Sequence, residues 1–142
     1  MTIFIKTTQS VLDEININGV CYADNKTTYS DYAYNYLKEI TGYKGLFFGI
    51  MNTDFVVRNS GLTEDLTSLS NTDNIVTLTL DIPKTEYQAH DYYSFSDLIL
   101  YHDEQEFNTV EIIKQEILNP QLDNVVQCVF NRIEKEWIKK IN

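Results

Sequence analysis

At 142 residues, with 43% apolar and 13% aromatic side chains, the chain is long enough for one hydrophobic core and too apolar to stay disordered. Its formal charge of −10 argues against nucleic acid or an anionic membrane surface as a direct ligand, because lysine and arginine supply most of the attraction to phosphate. The longest apolar runs, Ile3 to Ile5 and Leu46 to Met51, fall far short of the ~20 residues that span a bilayer, and no basic segment leads into an apolar one at the N-terminus, so a cytoplasmic protein is expected.

Thr2 to Lys6 reads as a strand. Thr7-Thr8 offers N-cap hydroxyls for a helix through Val11, Leu12 and Ile15 that ends at Asn18-Gly19. The chain returns through Val20-Cys21-Tyr22 and turns at Asp24-Asn25-Lys26. Thr28 or Ser30 then caps a second helix running to Gly42. Its Tyr29, Ala33, Tyr36, Leu37 and Ile40 recur at helical spacing and define a buried stripe, with Tyr32 and Tyr34 off it. Leu46 to Met51 has strand length, and Phe55 to Val57 pairs with it as a hairpin across Asn52-Thr53-Asp54. Residues 58–74 read as a polar loop with one short helix carrying Leu62, Leu66 and Leu69.

Ile75 to Ile82 alternates, with Val76, Leu78, Leu80 and Ile82 facing one way and Thr77, Thr79 and Asp81 the other, as a half-buried antiparallel strand does. Pro83 ends it. Glu86 to Ala89 reads as a short strand, Ser94 or Ser96 opens a helix through Leu98, Ile99 and Tyr101, and Thr109 to Leu118 forms another. Asn119-Pro120 reads as a cap and first turn opening a long C-terminal helix from about residue 120. There Leu122, Val126, Val129, Ile133, Trp137 and Ile141 recur every three or four residues. The expected fold is therefore α+β in a single compact domain over 1–142, with a small mainly antiparallel sheet packed by helices.

Cys21 and Cys128 could pair only once, which reads as two buried reduced thiols. There is no CxxC and no Cys/His cluster, so neither a structural zinc nor a cofactor is expected. Gly42, Gly45 and Gly49 match no phosphate-binding spacing. Tyr29, Tyr32, Tyr34 and Tyr36 resemble a stacking platform in spacing, but only Lys26 and Lys38 flank them, so they read as core and interface.

Thr8-Gln9, Gly19 with Ala23-Asp24, Ala33-Tyr34, Tyr36-Leu37, the run Leu78 to Pro83, Asp91 and Glu134-Lys135-Glu136-Trp137 together resemble an uncharacterised family of small bacterial proteins, a domain of unknown function. That resemblance implies the fold and the location and no activity. Phe95-Ser96 stands where the family usually carries a Trp-His pair. The opening strand, helix, glycine and strand also resemble the start of the ADP-ribosyltransferase fold. Lys6 and Thr7 occupy the strand where those enzymes place an Arg or His to grip the dinucleotide.

Charge is distributed unevenly. Residues 54–123 hold fourteen acids against Arg58, Lys84 and Lys114, and residues 86–116 hold eight acids and one lysine among interleaved aromatics. That composition points to a small acidic protein that binds a basic protein surface, anchored by Tyr or Phe, with Asp91, Tyr92, Tyr93, Asp97, Asp103, Glu104 and Glu106 as its contact residues. An inhibitor carried by a mobile element and mimicking nucleic acid is the concrete form of that expectation. Association of identical chains stays open. The competing class is an enzyme: a metal-dependent hydrolase or acid-base catalyst using His90-Asp91 and His102-Asp103, or a nucleotide-processing enzyme on the transferase-like fold.

Overall fold

The structure, a computed structural model, describes residues 2–23, 31–51, 74–101, 107–121 and 125–142, with the backbone alone at 31, 100, 101 and 107–109. The chain opens with β1 (Thr2–Thr8) and passes directly into α1 (Gln9–Asn18). Thr8 makes the junction: its Oγ1 accepts the Val11 N–H at 3.3 Å, satisfying one of the donors that a helix start leaves bare. Gly19 closes the helix at φ 80°, where a side chain would be strained, and its N–H donates to the Ile15 carbonyl at 2.7 Å. Next come β2 (Val20–Tyr22), α2 (Asp31–Thr41), β3 (Phe47–Ile50) and β4 (Ile75–Asp81). Then follow β5 (Gln88–Asp91), α3 (Tyr92–Tyr101) and α4 (Phe107–Ile117). The chain finishes in β6 (Val126–Phe130), β7 (Arg132–Glu134) and β8 (Ile138–Ile141).

Six strands form one antiparallel sheet in the order β5-β6-β3-β1-β4-β8, and β2 pairs with β7 in a separate two-stranded ribbon. The protein is α+β. One side of the sheet presents Phe48, Ile50 and Val129 to Ala33, Tyr34 and Leu37 of α2, Phe95 and Leu98 of α3, and Val110, Ile113 and Ile117 of α4. The other side presents Ile3, Ile5, Leu78, Leu80, Cys128 and Phe130 to Leu12 and Ile15 of α1, to Cys21 and Ile133 of the ribbon, and to Trp137. Each fully buried Leu, Ile or Phe contributes about 1.5–3 kcal/mol, so two such layers account for most of the driving force. No described helix is long and apolar enough to cross a membrane.

The expected C-terminal helix from residue 120 is absent: that region of the described chain forms β6, β7 and β8 with a single 3-10 turn, Lys135–Trp137, between the last two. All five residues of β6 are buried: Cys128 and Phe130 feed one core, Val129 feeds the other, and Gln127 faces His90. A strand covered on both faces loses its alternation and shows a continuous apolar run, which periodicity alone cannot separate from a helix. Asn119 ends α4 rather than starting a new helix. Its N–H donates to the Glu116 carbonyl at 3.1 Å and its Nδ2 to the Gln115 carbonyl at 2.8 Å, with Pro120 following as a stop.

The stripe on α2 also differs from expectation. Tyr34 is buried and Ile40 is 38% exposed, because the Tyr34 hydroxyl reaches inward to accept the Leu46 N–H at 3.1 Å. The alternating strand at β4 is as expected, with Leu78 and Leu80 fully buried. The return strand at Phe55 to Val57, the short helix through Leu62, Leu66 and Leu69, and Tyr29 lie outside the described residues.

Candidate functional site

Asp91 is the pivot of the acidic segment. It ends β5 and caps α3, with Oδ1 accepting the Ser94 N–H at 2.9 Å, so the carboxylate neutralises the positive end of the helix. From that start, Phe95 and Leu98 turn into the core while Tyr93 and Asp97 stay outside. α4 packs alongside, burying Val110, Ile113 and Ile117 and leaving Ile112, Gln115 and Glu116 outward. Between the two outward faces runs an open groove of about 640 Å³. Its lining comprises Asp91, Tyr93, Ser94 and Asp97 on one side, and Ile112, Gln115, Glu116, Asn119 and Gln121 on the other.

Among the described residues, three carboxylates and no basic side chain line this groove. The lysine of the segment, Lys114, is drawn the other way. Its Nζ lies 5.1 Å from the Tyr32 ring centre and 5.0 Å from that of Tyr36, and 3.9 Å from the Glu111 carboxylate. A hydrogen bond with Tyr32 raises the Lys114 pKa above its ordinary value. Two members of the tyrosine series therefore clamp a lysine on the far side of α4, and a third is core. Among the described residues no lysine or arginine lines the groove. It also exposes apolar surface, since Tyr93 is 52% and Ile112 54% accessible.

His90 occupies a different environment. It faces Gln127 across the β5–β6 pair, completely buried, with its ring edge-on to Phe48 and Phe95 at 6.4 and 5.2 Å between centres. Its Nε2–H donates to Gln127 Oε1 at 2.5 Å. Nδ1 and the Gln127 Nε2 have no partner among the described residues. Burial in this aromatic pocket pushes the imidazole pKa down to about 4, outweighing the opposing effects of Gln127, the Asp91 carboxylate and the Gln88 backbone. The imidazole is therefore neutral at pH 7 and does not line the groove.

Neither family models nor curated proteins nor solved structures give a match to this chain. The chemistry of the site has to come from its own residues. Among the described residues no group of three or more His, Cys, Asp or Glu side chains converges to hold a metal ion.

Of the contact residues read from the sequence, Asp91, Tyr93 and Asp97 meet in the groove. Tyr92 is half-buried against the core, its ring 5.3 Å from that of Tyr93. His102, Asp103, Glu104 and Glu106 lie outside the described residues. The second wall, Ile112, Gln115, Glu116 and Asn119, was not singled out by sequence reading. Its signal is present nonetheless: these residues share one face at i, i+3, i+4 and i+7, and Ile112 is an apolar residue on an otherwise polar face.

Proposed function

We propose that this is a small acidic protein that acts by binding, and that the groove between α3 and α4 engages a basic protein surface. The observation that carries this reading is the pairing of three carboxylates with exposed Tyr93 and Ile112 along one concave strip. Charge gives such a surface its partner preference and association rate, while aromatic and aliphatic anchors supply most of the affinity. An inhibitor that offers carboxylates where nucleic acid offers phosphates is a specific form of the same reading. The buried thiols of Cys21 and Cys128, neither of them in a disulfide, fit action in a reducing compartment such as the cytoplasm. Of the enzymatic alternatives, the one built on the His-Asp pairs would have to draw on His102 and Asp103, because His90 is enclosed, while a nucleotide-processing enzyme does not depend on either histidine.

The test is comparative affinity capture with wild-type protein and an Asp97→Asn, Glu116→Gln variant, both side chains being exposed. Partners should be basic, should elute with moderate salt, and should be lost from the variant. Recovery of the same partners by both proteins would sink the proposal.

A further inference from the structure

We infer that the anchor taken by this groove is an arginine side chain of the partner, held by Asp97 and Glu116 with its guanidinium plane against the Tyr93 ring. The inference rests on the basic-partner reading above and goes beyond it by choosing the side chain.

Four observations lead there. First, the groove is rich in acceptors, and part of its amide donor capacity is already engaged. Asn119 Nδ2 donates to the Gln115 carbonyl at 2.8 Å and Gln121 Nε2 to the Asn119 carbonyl at 3.4 Å, which leaves the amide oxygens of both side chains for a ligand. Added to three carboxylates and the Ser94 hydroxyl, this lining calls for a ligand with many donors, and arginine brings five N–H groups in a planar fork against three on a lysine ammonium.

Second, Asp91 lines the groove although 94% buried, and the Ser94 N–H is the one donor among the described residues that its carboxylate engages. Its other oxygen is an acceptor that a ligand can complete. Third, Tyr93 offers a half-exposed ring, on which a weakly hydrated guanidinium stacks better than a compact, strongly hydrated ammonium. Fourth, Gln115, Glu116 and Asn119 stand at the C-terminal end of α4, where the partial negative charge of the helix adds to that of Glu116. The opposite pole, at the start of α3, is already neutralised by Asp91.

Capped peptides of one sequence bearing arginine, lysine or citrulline at the same two positions, titrated into isotope-labelled full-length protein and followed by amide chemical shifts, decide the matter. The arginine peptide should bind about threefold or more tighter than the lysine peptide, the scale of an exposed cation–π contact, and citrulline should not bind. Shifts should cluster at 91–97 and 112–121. The Asp97→Asn, Glu116→Gln variant should weaken both cationic peptides about tenfold, the scale of losing charge-assisted bonds. Tyr93→Leu should erase the arginine preference while lysine binding persists. Glu136→Gln, at an exposed acid elsewhere, should change nothing.

Equal binding of arginine and lysine peptides at this groove, unaffected by Tyr93→Leu, overturns the arginine inference and leaves the basic-partner reading standing. Cationic peptides that ignore the double carboxylate variant, or whose shifts map elsewhere, overturn both.

Discussion

The enclosed imidazole of His90 makes stability depend on pH in a way that can be separated from every other titration. The unfolded chain binds the His90 proton near the ordinary pKa of 6.5, whereas burial holds the folded-state value at about 4. Between those values the unfolded state carries more protons, so stability rises with pH. The contribution is complete above pH 6.5, falls as pH drops through the window, and is flat below about 4. At about 1.4 kcal/mol per pK unit, the whole window is worth about 3 kcal/mol.

A His90→Leu, Gln127→Leu variant removes the titration together with the unpartnered Nδ1 and Nε2, replacing both side chains with apolar ones of similar volume. Removing both partners of a buried polar pair is nearly neutral or stabilising, while removing one leaves the other bare at a cost of about 1–3 kcal/mol. Urea unfolding followed by fluorescence of Trp137, the single tryptophan and 95% buried, reports both proteins at pH 7 and near pH 4. The wild type should lose about 3 kcal/mol more than the variant over that range, with the same m-value. Parallel pH profiles would refute the argument. So would a double variant less stable than wild type by more than about 1 kcal/mol at pH 7, since the two bare atoms would then have partners in the folded protein.

Gly49 lies against the β1 side chains: a methyl there collides with Ile3 Cγ2 and comes to 3.1 Å from Phe130 Cε1, both residues being fully buried. Gly49→Ala should therefore cost about 1–3 kcal/mol, read as a lower urea midpoint, and an unchanged midpoint would show that the sheet yields more easily than its packing implies. Burial pushes the Cys128 thiol well above its ordinary range, and Cys21 is also enclosed. Neither should react with a thiol reagent in the folded state and both should react in denaturant; prompt native labelling of Cys128 would contradict the packing around β6. Asp91→Ala should cost about 1 kcal/mol through the lost α3 cap, while Asp91→Ser should retain most of it, and equal losses in thermal unfolding would show that the cap is not the source.

Parts of this fold can be read from local sequence because the responsible interactions are local. Thr8, Gly19 and the alternation from Ile75 to Asp81 depend on neighbours within a few residues or on one face being wet. β6 depends on what covers it from both sides, and Val125 to Phe130 carries no trace of that. Tyr34 turned inward because a bare N–H at Leu46 needed an acceptor, a demand that helical spacing does not encode. The site divides the same way. Asp91, Tyr93 and Asp97 stood out by composition, but the opposing wall emerges only once α4 lies beside α3. His90 looked like a reactive base beside Asp91 until its partner proved to be Gln127, distant in the chain and directly across the sheet.

The strand order has a bearing on how the protein is made. β3 is held between β1 and β6, joining Phe4 to Ile50 and Phe48 to Val129, so the middle of the sheet awaits residues synthesised long after its first strand. Such distant pairings slow folding relative to domains built from local contacts. A nascent chain that has not yet reached Phe130 leaves β3 and β5 with open edges, the condition that favours misassembly between chains. The helices that flank the groove, α3 and α4, lie in the chain between β5 and β6, so the pairing of those two strands brackets them.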